Sequence, residues 1–203
     1  MNKEVEIRVI IKDPFQVEKK LSRIGKFLKS RKQIDKYFVP PQNDFFAQKP
    51  TLEYLRVRHE RDKSSLNYSF CHTNKEGHLL STDEYETLVE KADVAEDILL
   101  KMGMVPKVTV IKTRKYFEID EFKVTLDHIA ELGYFLEIEA KKDFGGAEKT
   151  LEACFKLLNK LDIEYKKSPQ MGYPDMILKM GKKSKKFAPC NYLINVNALG
   201  GHL

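Results

Sequence analysis

Cysteine is scarce in this chain. Cys71, Cys154 and Cys190 are odd in number and scattered. They form neither a disulfide framework nor a metal-ligand spacing, so they read as ordinary buried or surface residues of a reducing, cytoplasmic protein. Long apolar runs are absent too. No segment approaches the roughly 20 residues of a membrane span, and no membrane partner is expected. The N-terminus is charged from Lys3 onward and lacks the apolar core of a secretory signal. Familiar catalytic patterns are also missing. No Ser-His-Asp or Cys-His spacing stands out. Gly145-Gly146 lacks the lysine and spacing of a phosphate-binding loop and reads as a flexible helix entry. His72 and His78 flank a loop with no third ligand at suitable spacing, and they read as surface histidines.

What remains is a chain of 203 residues, 42% hydrophobic and 10% aromatic, enough for one substantial core. The net charge of +6 hints at nucleic acid, but its location argues otherwise. Lys179, Lys182, Lys183, Lys185 and Lys186 follow Asp175 with no acid among them, leaving +1 for residues 1–175. Such a tail is a solvated end or an electrostatic tether for RNA or an anionic surface. The solvated end is the reading taken, with no nucleic-acid partner. The division is residues 1–180 as one domain and 181–203 as a basic tail.

Alternation dominates the pattern. In Glu4-Val5-Glu6-Ile7-Arg8-Val9-Ile10 the charged residues fall at every second position. In a strand they share one face and the aliphatic residues share the other. Strands are also expected over 33–39, 52–60, 65–72, 79–89, 108–117, 122–129 and 133–140. Asp13-Pro14 opens a helix, as N-cap and first helical residue, and its apolar spacing runs to residue 29. Further helices are expected over 92–102 and 147–160, and a short one from Tyr173. Residues 42–50 read as a loop. Arg56/Arg58, Glu84/Glu86, Lys112/Arg114 and Glu137/Glu139 repeat the alternation of the first strand, with Asp127 on the same pattern. An ordinary filled barrel points its apolar side chains inward. Here three amphipathic helices need aliphatic surface to cover. Placing them outside leaves the charged faces lining a hydrated lumen. Carboxylates in such a lumen suit hard divalent cations, and arginine and lysine suit phosphate oxygens. The other reading is a set of salt-bridged outer strand faces.

These residues resemble the CYTH superfamily, the triphosphate tunnel metalloenzymes. Glu4-x-Glu6-x-Arg8 is similar to its ExExK signature. The likeness continues through Asp35-x-Tyr37-Phe38, Leu55-Arg56-x-Arg58, Glu84-x-Glu86, Lys112-x-Arg114, the stretch from Leu126-Asp127 to Glu137-Ile138-Glu139, and Tyr173-Pro174-Asp175. It most resembles the class IV adenylyl cyclase branch, with thiamine triphosphatases and tripolyphosphatases as relatives.

The resemblance implies an α+β fold: an eight-stranded antiparallel tunnel with helices outside. It implies Mg²⁺ or Mn²⁺ held by Glu4, Glu6, Asp127, Glu137 and Glu139. It implies a triphosphate held by Arg8, Arg56, Arg58, Lys112 and Arg114. Glu84 and Glu86 would be further tunnel acids. The expected reaction is conversion of ATP to cyclic AMP and pyrophosphate. The alternatives are hydrolysis of tripolyphosphate, thiamine triphosphate or a nucleoside triphosphate, and polyphosphate or nucleotide binding without catalysis. A homodimer is implied by the cyclase branch. Tyr37 is either a catalytic helper on the tunnel wall or a packed tyrosine. Two departures stand out: Arg8 replaces the usual lysine, and Leu66-Asn67-Tyr68-Ser69-Phe70 lacks the lysine of the family's Thr-x-Lys.

Overall fold

The computed structural model describes residues 2–183. The tail beyond residue 183, with Cys190, lies outside the described residues. Ten antiparallel strands form one curled sheet: β1 (Asn2–Glu4), β2 (Glu6–Ile11), β3 (Lys26–Val39), β4 (Glu53–His59), β5 (Ser64–Thr73), β6 (Leu79–Val89), β7 (Val105–Ile119), β8 (Phe122–Ile129), β9 (Gly133–Ala140) and β10 (Tyr165–Lys167). Their order is β1-β6-β5-β4-β3-β7-β8-β9-β2-β10.

The count is ten rather than the expected eight for two local reasons. The first strand breaks at Val5, so that β1 pairs with β6 and β2 with β9. Because β1 and β2 are consecutive, residues 2–11 join the two ends of the sheet. The second reason is β10, which had no sequence signal. It pairs with Val9–Ile11, beyond the reach of β6, which begins only at Leu79.

Four helices accompany the sheet: α1 (Pro14–Ile24), α2 (Ala92–Lys101), α3 (Ala147–Leu161) and α4 (Tyr173–Lys183). The first helix is shorter than its apolar spacing predicts. Asp13 caps it, its Oδ1 accepting from the Gln16 N–H at 3.0 Å. Gly25 stops it in an extended conformation. A Cβ on Gly25 would come within 2.5 Å of Ile119 Cγ1, so the side-chain-free residue lets the chain turn tightly against β7. Phe27 and Leu28, counted as helical by periodicity, instead start β3, which pairs with β7 along nearly its whole length. The loop at 42–50 contains a short turn that buries Phe45 and Phe46.

The first three helices lie against the aliphatic strand faces. Ile7, Val9, Val124, Leu136 and Ile138 pack with Val17 and Leu21 of α1 and with Cys154 and Leu158 of α3. Phe38 and Val57 pack with Ala92 and Leu99 of α2. Much of the apolar burial that drives folding is therefore spent between the sheet and these helices. The inner face carries the charged side chains and, at one end, an apolar cluster in which Tyr37, Tyr54, Val110, Ile129 and Phe135 pack with Tyr173 and Met176 of α4. No helix among the described residues is long and apolar enough to cross a membrane.

Candidate active site

The lumen is a cavity of about 1010 Å³. Its charged walls are assembled by strand register, because directly opposed residues on one face meet. Asp35 lies opposite Arg58, Arg114 opposite Asp127, Arg8 opposite Glu137, and both Glu6 and Lys123 opposite Glu139. Each register pair but Glu6 and Glu139 is an ion pair of the lumen.

The basic residues are held in place by acids. Arg58 donates from Nε and Nη2 to the two oxygens of fully buried Asp35, at 2.6 and 2.8 Å. Lys112 Nζ lies 3.6 Å from the same carboxylate. Arg114 grips Asp127 in the same two-pronged way, at 2.7 and 2.5 Å, and its Nη2 also reaches Glu137. Such forked pairs fix the plane of the guanidinium as well as its place. Arg56 is held less tightly, 3.3 Å from Glu84, and its buried Nε has no partner among the described residues. Burial alone would raise the Asp35 carboxyl, but Arg58, Lys112 and Arg56 hold it well below the usual range. Burial also opposes ionisation of Glu137, yet Arg114, Arg8 and Lys112 hold it at about 2. Lys112 is pulled down to about 8 by burial and by Arg114, against the attraction of Asp35 and Asp127.

A second group is acid-rich. Glu4 is pushed up to about 9 by burial, by Glu139, and by a hydrogen bond shared with Glu84. Glu6 is pushed up to about 7 by burial and by Glu137 and Glu139. Carboxylates that crowd until they keep their protons are an oxygen-rich donor set short of positive charge, and a hard divalent cation suits them. The residues fit such an ion in chemistry. Among the described residues, no three of them are already closed to coordination distance. Glu139 is turned to Lys123 and Glu137 to Arg114.

The site residues expected from sequence divide accordingly. Glu4, Glu6, Glu137 and Glu139 come together. Asp127 has one oxygen on Arg114 Nε and the other on both Arg114 Nη2 and the Tyr173 hydroxyl, 3.1 Å away. Glu84 accepts from Asn67 Nδ2 at 2.7 Å, and Glu86 sits on the exposed part of β6, taking the Ser65 hydroxyl at 2.7 Å. Arg8 points into the lumen, but its donors go to the C-terminal segment, to Ser168 Oγ at 3.2 Å and to the Met171 carbonyl. Its guanidinium stacks 4.5 Å above the Tyr173 ring. Tyr37 is packed edge-on between Phe46 and Tyr54, with centroids 6.4 and 6.2 Å away. Burial raises its hydroxyl pKa, which argues against a role as base. Where a lysine was missing, β5 presents Ser65 and Ser69 to the lumen, with Asn67 between them on Glu84, a neutral wall.

Sequence reading passed over Asp35 and Lys123 as site residues, although both obey the alternation that identified their neighbours. It also passed over Tyr173 and Asp175. Asp175 accepts from Thr51 Oγ1 at 2.6 Å and from the Tyr54 hydroxyl at 2.7 Å, pinning the start of α4 to the sheet. These contacts span more than a hundred residues, and no local pattern announces them.

Residues 2–173 match the CYTH domain. A Methanocaldococcus jannaschii protein provisionally named an adenylate cyclase is 30% identical over 162 residues, covering 79% of this chain and 90% of that protein. A Pyrococcus horikoshii structure aligns with a TM-score of 0.74 at 24% identity, over 87% of this chain and 99% of that one. A Hippeastrum protein aligns with a TM-score of 0.61 at 17% identity, over 92% of this chain and 98% of that one. It is provisionally called an adenylyl cyclase and described as having a dominant triphosphatase activity. These two structural likenesses show the fold.

Proposed function

The chain belongs to the CYTH domain family, and from that premise and the lumen geometry we propose that it is a divalent-metal-dependent enzyme acting on a triphosphate. Our leading reading is an adenylyl cyclase, turning ATP into cyclic AMP and pyrophosphate. The observation that carries the reading is the juxtaposition of four bases lining the lumen, Arg56, Arg58, Lys112 and Arg114, with the crowded acids Glu4 and Glu6 in one cavity.

The bases bind the phosphate oxygens. Asp35 and Asp127 keep the Arg58 and Arg114 forks aimed, so little reorganisation is needed when charge develops on the phosphoryl group. Lys112 holds its proton more loosely than an ordinary lysine. We assign it to the leaving phosphate oxygen. Glu4, Glu6, Glu137 and Glu139 would hold Mg²⁺ or Mn²⁺, which when bound neutralises phosphoryl charge and acidifies the attacking hydroxyl or water. The walls supply alignment, and the buried setting strengthens each electrostatic contact.

The neutral β5 wall of Ser65, Asn67 and Ser69 favours a second reading, hydrolysis, because it leaves room for water beside the phosphate path. Incubation with ATP, thiamine triphosphate and tripolyphosphate, each with Mg²⁺ or Mn²⁺, separates the two. Cyclic AMP from ATP supports the cyclase. Orthophosphate from tripolyphosphate without cyclic AMP supports the hydrolase. Turnover of none rejects both and leaves a triphosphate-binding module.

A further inference from the structure

The cavity is not charged throughout. β6 begins only at Leu79, so past Glu4 the first strand has no β6 partner, and β10 lies on its free edge instead. Through this interruption the lumen continues into an apolar annex. Leu79 and Leu80 line one side, Leu151 and Phe155 of α3 another, and Tyr165 of β10 a third. Phe155 is 47% exposed and Tyr165 37%. Neither ring is paired with another aromatic side chain among the described residues. Exposed aromatics that open onto a polar cavity are expensive to leave in water and offer flat faces for stacking.

We propose that this annex receives the planar heteroaromatic group of a triphosphate ester, with Phe155 and Tyr165 as its stacking faces. The inference rests on the triphosphate reading above and adds to it the class of organic group. Three features converge on that occupant. The annex and the charged lumen are one continuous cavity, so a single molecule can occupy both. A triphosphate alone leaves the apolar part unfilled, whereas small-molecule sites combine apolar walls with a few polar anchors. The annex walls carry two aromatic rings, and base–aromatic stacking tolerates any heteroaromatic ring.

The test compares binding of tripolyphosphate with binding of nonhydrolysable methylene analogues of ATP and thiamine triphosphate, by calorimetry with Mg²⁺. The proteins are the wild type, Phe155→Ala with Tyr165→Ala, and Phe155→Leu. Both aromatic positions are substantially exposed, so the helix and sheet keep their core. In the double variant, affinity for at least one ester is expected to fall about tenfold, the size of a lost stacking partner, with tripolyphosphate affinity unchanged. The ester affected tells a nucleobase from a thiamine-type ring. Phe155→Leu is expected to show a smaller fall with the same selectivity. Unchanged affinity for both esters overturns the annex while leaving the triphosphate reading intact. An equal fall for all three ligands also overturns it. A wild type that binds none of them overturns the triphosphate reading itself, and the annex with it.

Discussion

The acids around Glu6 and the bases around Arg114 share one lumen and are stabilised in opposite ways. Arg58 and Arg114 are each gripped by a buried carboxylate, and the Arg58 partner Asp35 is held well below the usual carboxylate range. Glu4 and Glu6 meet other acids, and their pKa values rise. Apart from Arg56, whose buried Nε has no partner among the described residues, the bases of the lumen are paired within the protein, whereas the crowded acids would be balanced by a bound cation. A base held by one carboxylate still has donors to offer an incoming phosphate. A crowd of carboxylates has lone pairs that only protons or metal can take up.

The most severe way to break the paired part is Arg114→Ala. It leaves Asp127 and Glu137 buried without their main partner, and stability is expected to fall by about 3–5 kcal/mol in urea unfolding. Arg114→Met with Asp127→Leu removes both charges of the forked pair and is expected to recover part of that loss, Glu137 still lacking Arg114, while phosphate binding stays lost. A double variant no more stable than Arg114→Ala would contradict the pairing.

The acidic part is expected to respond to metal. Mn²⁺ at about a hundred times its dissociation constant is expected to stabilise the folded protein by about 2.7 kcal/mol. Glu4→Gln with Glu6→Gln is expected to abolish that gain in thermal unfolding while leaving a folded protein. Retention of the full shift would remove both residues from the metal site.

The two parts also pull stability in opposite directions with pH. Glu4 and Glu6 titrate higher in the folded protein than in the unfolded chain, near 9 and 7 against about 4.5. Between those values the folded state binds more protons, so metal-free stability falls as pH rises from about 5 to 9. The same Glu4→Gln, Glu6→Gln variant is expected to flatten that slope. Glu137 and Asp35 titrate below their unfolded values. Their contribution is present above pH of about 4.5 and is lost as pH falls towards 2. Acid unfolding curves of the metal-free protein check both limbs.

The smallest expected effect comes from outside the lumen. Lys141 and Glu118 approach to 3.1 Å but are about 36% and 47% exposed. Lys141→Ala is expected to change stability by less than about 0.5 kcal/mol, because water screens such a pair. A loss matching that of Arg114→Ala would show that burial is not what separates the two kinds of ion pair.

Much of this was legible in the sequence because a strand writes its two faces into alternate positions. Val5, Ile7 and Val9 against Glu4, Glu6 and Arg8 already separated an outer from an inner face. The same rule, applied to Asp35 and Lys123, would have completed the wall. The end of α1 was not legible, because Phe27 and Leu28 continue its apolar spacing. Gly25 ends the helix through its closeness to Ile119, a residue far along the chain. β10 was missed for a related reason. Tyr165-Lys166-Lys167 has little strand character of its own and pairs only because β2 offers a free edge there.

The sequence by itself determined the antiparallel strands, the outward aliphatic faces and the inward charges, since these follow from side-chain period and apolar burial within single elements. Tertiary structure alone decided which charges meet. Register put Asp127 on Arg114, beside Glu137 on the same guanidinium, and it placed Glu6 opposite Glu139. The return of the C-terminal segment turned Arg8 towards Ser168 and Met171, and set Tyr173 beside Asp127. The physical reason is that a charge is defined by its neighbours as much as by its type. Those neighbours come from strands and helices distant in the chain, brought together only when the sheet curls on itself.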